Sequence, residues 1–365
     1  MRQLILLPVL LLFTNSILLG QKKTPEIIKL LQKEMTENNI PGLQVAVLQN
    51  NELVFSEALG LANVQFGIKA ETHTIFSINS IAKIFAATAA MQLVEDGKLE
   101  IEHPISNYLE GLPATWQKVT ITQLLSHTSG LPDIEGTSSG DLVGGKGMET
   151  AWIEVQKMPL QFEAGEQFSY NATNYLLLEK VIEQLSGLNY ETFVQQKQFD
   201  VANMEKTFYG DNSFEVVPNR SPTYSFYVFD KEVDDYVLKE ELMEVSEEFP
   251  IKTDAGAFST AEEAAKWVMA LQSGKLLSQK SIDTMWKPVP LNNGQYDGFG
   301  GLLSAYAFGW PVIKRDKHPA LSAFGGGRAS LTIYPEDDSA IIVFTNLSGL
   351  PTYEIVEKIS KFYLD

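Results

Sequence analysis

Apolar residues recur along this chain with two different periods, and the switches between them outline its elements. The stretch TPEIIKLLQKEMTENN carries them at helical spacing, with Thr24 placed to cap and Pro25 at the first helical position. The next run, LQVAVLQNNELVFSEALG, reads as two strands joined at Gln49-Asn50-Asn51, a hairpin signal. Near the far end, ASLTIYPEDDSAIIVFTN repeats that logic around Pro335-Glu336-Asp337-Asp338, and PTYEIVEKISKFYL predicts a closing amphipathic helix. The simplest assembly pairs the two hairpins in one antiparallel sheet and packs the two terminal helices on a face of it.

Between the hairpins the pattern is mostly helical. ITQLLSHTSGLP, NYLLLEKVIEQLSG and TAEEAAKWVMALQSGK are helix patterns with Gly or Pro stops. Residues 211–253 are aromatic, acidic and irregular, which predicts a long excursion over the surface or above a cleft. No internal repeat or low-complexity linker divides the chain. Residues 21–365 therefore read as one α/β (α+β) domain, an antiparallel sheet flanked by helices with a helical region inserted at roughly 104–255.

One helix breaks its own pattern. FSINSIAKIFAATAAMQLVEDGKLE is apolar on nearly every side, yet Lys83 sits one turn inside it among Ile81, Ala82, Ile84, Phe85, Ala86 and Ala87. Ser80 precedes Lys83 by three positions, so the two share a helix face about one turn apart. Free backbone N–H groups and the helix dipole at that end favour developing negative charge. Loss of hydration lowers the pKa of a lysine and lets its neutral amine accept a proton. Ser80 and Lys83 thus fit an activated nucleophile and its base, against a chance Ser-x-x-Lys whose lysine reaches solvent.

Composition narrows the chemistry. The first twenty residues, MRQLILLPVLLLFTNSILLG, have a basic start, an apolar run and a polar, small-residue end, the form of a secretory signal. Cleavage is expected after Gly20 or nearer Ser16, leaving a secreted or periplasmic chain without stable membrane insertion; an uncleaved anchor is the competing reading. The chain has no cysteine, so thiol catalysis, cysteine metal sites and disulfides are excluded, and stability must come from core burial. With 28 basic and 46 acidic side chains the net charge is −18, and no basic cluster offsets it for nucleic acid. The four histidines are scattered without metal spacing, and no nucleotide or metal motif is present, so neither cofactor nor metal is expected.

Two further stretches carry candidate chemistry. In FSYNATNYLLLEKVIEQLSG, Tyr170 precedes an apolar helix from a polar loop, where a phenol could relay protons; a core or rim tyrosine is the alternative. In SAFGGGRASLTIYP, three glycines lead into a strand, which allows close backbone approach and an oxyanion donor, or simply a flexible turn.

Taken in order, FSINSIAKIFAATAAMQLVEDGKLEIEHPISNYL, TQLLSHTSGLP, FSYNATNYLLLEKVIEQLSG, AGAFSTAEEAAKWVMALQSGKLLS and GGGRASLTIYPEDDSAIIVFTNL resemble the penicillin-recognising serine hydrolases. Within them the resemblance is to the class C β-lactamase, D,D-peptidase and esterase group, and it runs from about residue 25 to the C-terminus. It implies that fold, with the active site between the sheet and the helical region. It implies Ser80 as nucleophile, Lys83 as proton acceptor and Tyr170 as proton shuttle, working through an acyl-enzyme. It also implies an oxyanion hole from the N–H groups of Ser80 and of a residue near Gly327, with Gly326 beside it.

The sequence departs from that family at two places. Ala172 stands where a Tyr-x-Asn motif would carry the Asn that binds a substrate amide, leaving Asn171 or Asn174 as substitutes from other directions. Phe324 stands where a Lys or His would meet a substrate carboxylate; Arg328 could supply that charge from elsewhere, or be a solvated strand-edge residue. His127 has no local base or metal role and is read as structural. The reading is an exported serine hydrolase for an ester or amide, with a small-molecule or peptide-like acyl substrate. A true β-lactamase or D,D-carboxypeptidase and a non-catalytic binding relative are the alternatives.

Overall fold

The computed structural model describes residues 10–136, 139–145, 147–211 and 215–364, with side chains from residue 24 onward. Residues 1–9 of the expected signal segment lie outside the described residues, and residues 10–20 are described as backbone only. Among the described residues no helix is long and apolar enough to cross a membrane.

Helix α1 (Leu10–Glu37) leads into β1 (Gly42–Gln49) and β2 (Glu52–Asn63), then β3 (Ile68–Lys69) and β4 (Phe76–Asn79). The first hairpin turns at Asn50 and Asn51, with φ of 50° and 58°, the left-handed pair that a two-residue turn demands and that asparagine tolerates. Late in the chain come β9 (Ala305–Tyr306), β10 (Pro311–Ile313), β11 (Ala320–Gly325), β12 (Ala329–Tyr334) and β13 (Ser339–Thr345). They join β1 to β3 in an eight-stranded sheet of order β3-β2-β1-β13-β12-β11-β10-β9. The N-terminal and C-terminal hairpins meet as expected: β1 pairs antiparallel with β13, Val45 opposite Val343.

Both faces of the central strands are covered, which explains their near-continuous apolar sequence. Leu43, Val45, Val47, Ile341 and Val343 face one way, into a core completed by Ile27 and Leu31 of α1 and by Ile355, Val356 and Ile359 of α10 (Thr352–Ser360). The alternate residues Ala46, Leu48, Ala340, Ile342 and Phe344 face the other way, into a larger core built mainly from helices. Those helices are α2 (Ala82–Glu95), α3 (Ile121–Leu125), α4 (Met148–Val155), α5 (Ala172–Ser186), α6 (Tyr190–Val194), α7 (Asp200–Ala202), α8 (Ala261–Gln272) and α9 (Gln279–Trp286). Most of α2 is buried, including Lys83, and α5 packs on it.

Two local expectations change. The first helix does not start at Thr24-Pro25 but runs through them from Leu10, because the leucine-rich run before them is itself a good helix former. Residues 211–253 are not irregular throughout. They contain a regular hairpin, β6 (Thr223–Asp230) with β7 (Asp235–Val245), and a third small sheet brings β4 together with β5 (Phe208–Tyr209) and β8 (Ala257–Ser259). The period-2 signal of β6 and β7 is blurred because most of β7 is exposed, so little apolar contrast marks its inner side.

Candidate active site

The site is built where β4 turns into α2. Phe76 and Ile78 anchor β4 in the core, and Asn79 then takes φ 46°, a left-handed conformation that asparagine adopts more readily than most residues. That twist lifts Ser80 to the mouth of α2, where it is half-buried and lines a cavity of about 970 Å³. The Asn79 Oδ1 accepts from the Ser80 backbone N–H at 2.8 Å and from its hydroxyl at 3.0 Å.

Lys83 does not snorkel. It is 1% exposed, and its Nζ lies 3.4 Å from the Ser80 Oγ. The counter-charge that makes this burial tolerable is Asp254, whose Oδ1 is 2.6 Å from Nζ and whose backbone carbonyl accepts from Nζ at 3.0 Å. The sequence reading placed Lys83 in a purely apolar setting; the structure gives it a carboxylate. Nζ also sits 4.5 Å from the centre of the Tyr170 ring and 5.2 Å from that of Tyr175, so aromatic faces close the remaining sides.

Tyr170 reaches the same point from the loop before α5 and lines the cavity with Ser80. Burial, and then the Asp254 charge, push this phenol well above its ordinary pKa, so near neutral pH it carries its proton and acts as a donor or relay. His127 stacks on its ring at 4.3 Å. Burial and then Lys83 hold this imidazole well below its usual pKa, and its Nδ1 accepts from the Asn171 N–H at 3.2 Å. His127 is thus a neutral packing piece under Tyr170.

The glycine run approaches from β11. A Cβ on Gly325 would lie 2.0 Å from the Ile78 carbonyl oxygen and 2.8 Å from the Ser80 nitrogen, so only a glycine lets this strand end abut the nucleophile turn. Gly326 and Gly327, with φ of 54° and 56°, then turn the chain into β12 and line the cavity with Ser80.

The residues nominated for substrate recognition are placed differently. Asn171 caps α5, accepting from the Asn174 N–H at 3.0 Å and donating to the Leu131 carbonyl at 3.0 Å, while the Asn174 amide meets Ser129 and His127. Arg328 is 1% exposed, neither a solvated edge residue nor open to a ligand; Glu247 holds it through two 2.6 Å contacts and Thr223 through one of 3.0 Å. Phe324 packs at 5.0 Å against Phe299, which in turn packs on Tyr170, so an aromatic wall stands beside Ser80.

Sequence reasoning missed the acids. Asp254, Glu135, Asp141, Glu247 and Glu248 line the cavity, and among the described residues Lys231 is the one cation on its lining. Glu135 is pushed up to about 8 by burial first, then by Asp254, with Lys83 opposing and Asp133 adding to the rise. The signal for Asp254 was present: a buried lysine requires a buried acid, and TDAGAFS sets one among small residues. Residues of the β6–β7 hairpin, Tyr227, Phe229 and Tyr236 among them, complete the cavity wall.

Residues 27–361 match the Beta-lactamase family. The chain is 28% identical over 291 residues to penicillin-binding protein 4* of Bacillus subtilis, covering 78% of this chain and 62% of that protein. It is 25% identical over 316 residues to a teichoic acid D-alanine hydrolase of Staphylococcus aureus, covering 86% of this chain and 72% of that one. The solved D-amino acid amidase of Ochrobactrum anthropi superposes with a TM-score of 0.78 at 20% identity, covering 93% of this chain and 98% of the amidase.

Two outcomes follow from this packing. Gly325→Ala should cost on the order of 1–3 kcal/mol by forcing β11 away from Ser80, and should lower activity together with the denaturant midpoint. An unchanged midpoint would refute the close approach. Glu135 binds a proton on folding between its ordinary 4.5 and about 8, so it subtracts stability progressively as pH rises through that window. In urea titrations, Glu135→Gln should therefore gain on the parent as pH rises from 4.5 to about 8 and level off above; a pH-independent difference would count against the buried carboxyl.

Proposed function

Because this chain belongs to the β-lactamase family, we propose that it is a serine hydrolase that cleaves an ester or amide through an acyl-enzyme on Ser80. The observation that carries this reading is the convergence of the Lys83 Nζ, 3.4 Å from the Ser80 Oγ, and the Tyr170 ring, 4.5 Å from that Nζ, at the mouth of a cavity that Ser80 and Tyr170 both line. Ser80 attacks the acyl carbon as its proton passes to Lys83, and Tyr170 supplies a proton to the leaving group. In this reading the Ser80 N–H and a backbone N–H of the Gly326-Gly327 turn stabilise the oxyanion. Asn79 accepts from that Ser80 N–H here, so its side chain gives way when substrate enters. Water then releases the acyl group.

The cavity argues against anionic substrates. Phe324 offers no charge, Arg328 is held by Glu247, and the asparagines that could grip an amide are committed to the cap of α5 and its surroundings. Acyl groups that are neutral or carry an amine fit a lining in which acidic side chains outnumber cations better than penicillins or C-terminal carboxylates do. The names D-alanine hydrolase and D-amino acid amidase describe acyl groups of that kind. The chain spans 62% of the length of the first of the curated relatives above, so their activities come to this chain as part of the proposal. The signal-like first twenty residues support export as its setting.

A fluorophosphonate probe followed by peptide mapping should label Ser80, and Ser80→Ala should abolish the label. In the same preparation, short-chain ester turnover should exceed cephalosporin turnover by roughly tenfold or more, the discrimination expected when polar recognition groups are missing. Absence of label on the folded protein would overturn the mechanism; efficient cephalosporin hydrolysis would overturn the substrate assignment.

A further inference from the structure

Resting on that acyl-enzyme reading, we infer that the Asp254 carboxylate is the group that finally receives the Ser80 proton, with Lys83 as the bridge. Among the described residues no neutral base touches Ser80. Lys83 meets it as one half of an ion pair, 2.6 Å from the Asp254 Oδ1, and Tyr170 is a phenol that holds its proton. An ammonium can accept a proton only by releasing one at the same time, and the structure provides the receiver. Among the described residues the Asp254 Oδ1 makes no hydrogen bond other than this contact, and the same Nζ lies 3.4 Å from the Ser80 Oγ.

The step balances. The Ser80 O–H bond breaks and an N–H bond forms at Nζ, while another Nζ–H bond breaks and an O–H bond forms on Asp254. The freed Oγ electron pair bonds the acyl carbon, whose carbonyl π pair moves to the oxyanion. When the adduct collapses, the Tyr170 hydroxyl gives its proton to the leaving oxygen or nitrogen, and the proton on Asp254 passes through Nζ to the Tyr170 oxygen, restoring both the phenol and the carboxylate. Lys83 thus ends each transfer with the charge it began with, and the negative charge moves from a buried carboxylate to the oxyanion. The backbone carbonyl of Asp254, accepting from Nζ at 3.0 Å, fixes which Nζ proton points where.

Several titratable groups face this pair. They are Tyr170 in the loop before α5, Tyr175 in its first turn, Tyr306 on β9, His127 after α3, and Asp133 and Glu135 on the loop beyond it. Glu135, pushed up to about 8, would add its own limb to a pH profile, so the decisive profiles belong in a Glu135→Gln background.

The test is the rate of Ser80 acylation by an activated ester, read by burst kinetics from acid to alkaline pH. Asp254→Asn, which keeps shape and removes the acceptor, should slow acylation about 10²–10³-fold near neutral pH. It should also alter the shape of the pH profile, and Asp254→Glu should recover part of the loss. Acylation within about threefold of the parent with an unchanged profile would overturn the proposal. If Asp254→Asn does not fold, a proton inventory on the unaltered protein decides: two protons in flight give a curved dependence on deuterium fraction, and a straight line overturns the relay. Failure of the unaltered protein to acylate at all would instead strike the acyl-enzyme reading.

Discussion

The burial of one ammonium organises this molecule. Lys83 lies in a helix with no route to water, and a charge in that position costs several kcal/mol unless another charge meets it. Asp254 supplies that charge from a segment 171 residues away, so the helix start and the loop before β8 are held in one register. Ser80 and the Tyr170 ring gather around that contact, 3.4 Å and 4.5 Å from Nζ. Removing either charge leaves the other buried and unpaired, which is why the pair fixes structure as well as chemistry.

The sheet holds the other side of the site. Strands β1 and β13 are buried on both faces, so the edge from which β11 delivers Gly325 to the nucleophile turn is rigid. The helical region presents the opposite wall through α2 and α5, and the β6–β7 hairpin adds aromatic residues above. A rigid strand end, a helix start and a capped helix therefore meet at one serine, the arrangement that lets small displacements in any of them register as lost rate.

Much of this was legible in the sequence because it rests on short-range rules. The two hairpins announced themselves by β-rich runs around Asn50-Asn51 and Pro335-Asp338, and the sheet they share follows from burying both. Ser80 and Lys83 stood out because a polar pair interrupts an apolar helix, and the two lie 3.4 Å apart. What stayed hidden depends on pairing at long range. Asp254 is one acid among many in an acidic chain, and nothing local says that it meets Lys83. Arg328 looked available because Glu247, its partner 81 positions away, lies in an exposed-looking acidic stretch. The hairpin of β6 and β7 was obscured because its exposed strand mixes charged and apolar residues on the same side.

The central claim is that Lys83 and Asp254 act on Ser80 as one unit. A double-mutant cycle on Ser80 acylation, comparing Lys83→Met, Asp254→Asn and the double variant, tests it most directly. The account predicts strong non-additivity, with the double variant no slower than the slower single one, because either change already disables the pair. Losses that simply multiply would show that the two residues contribute independently, and would contradict it.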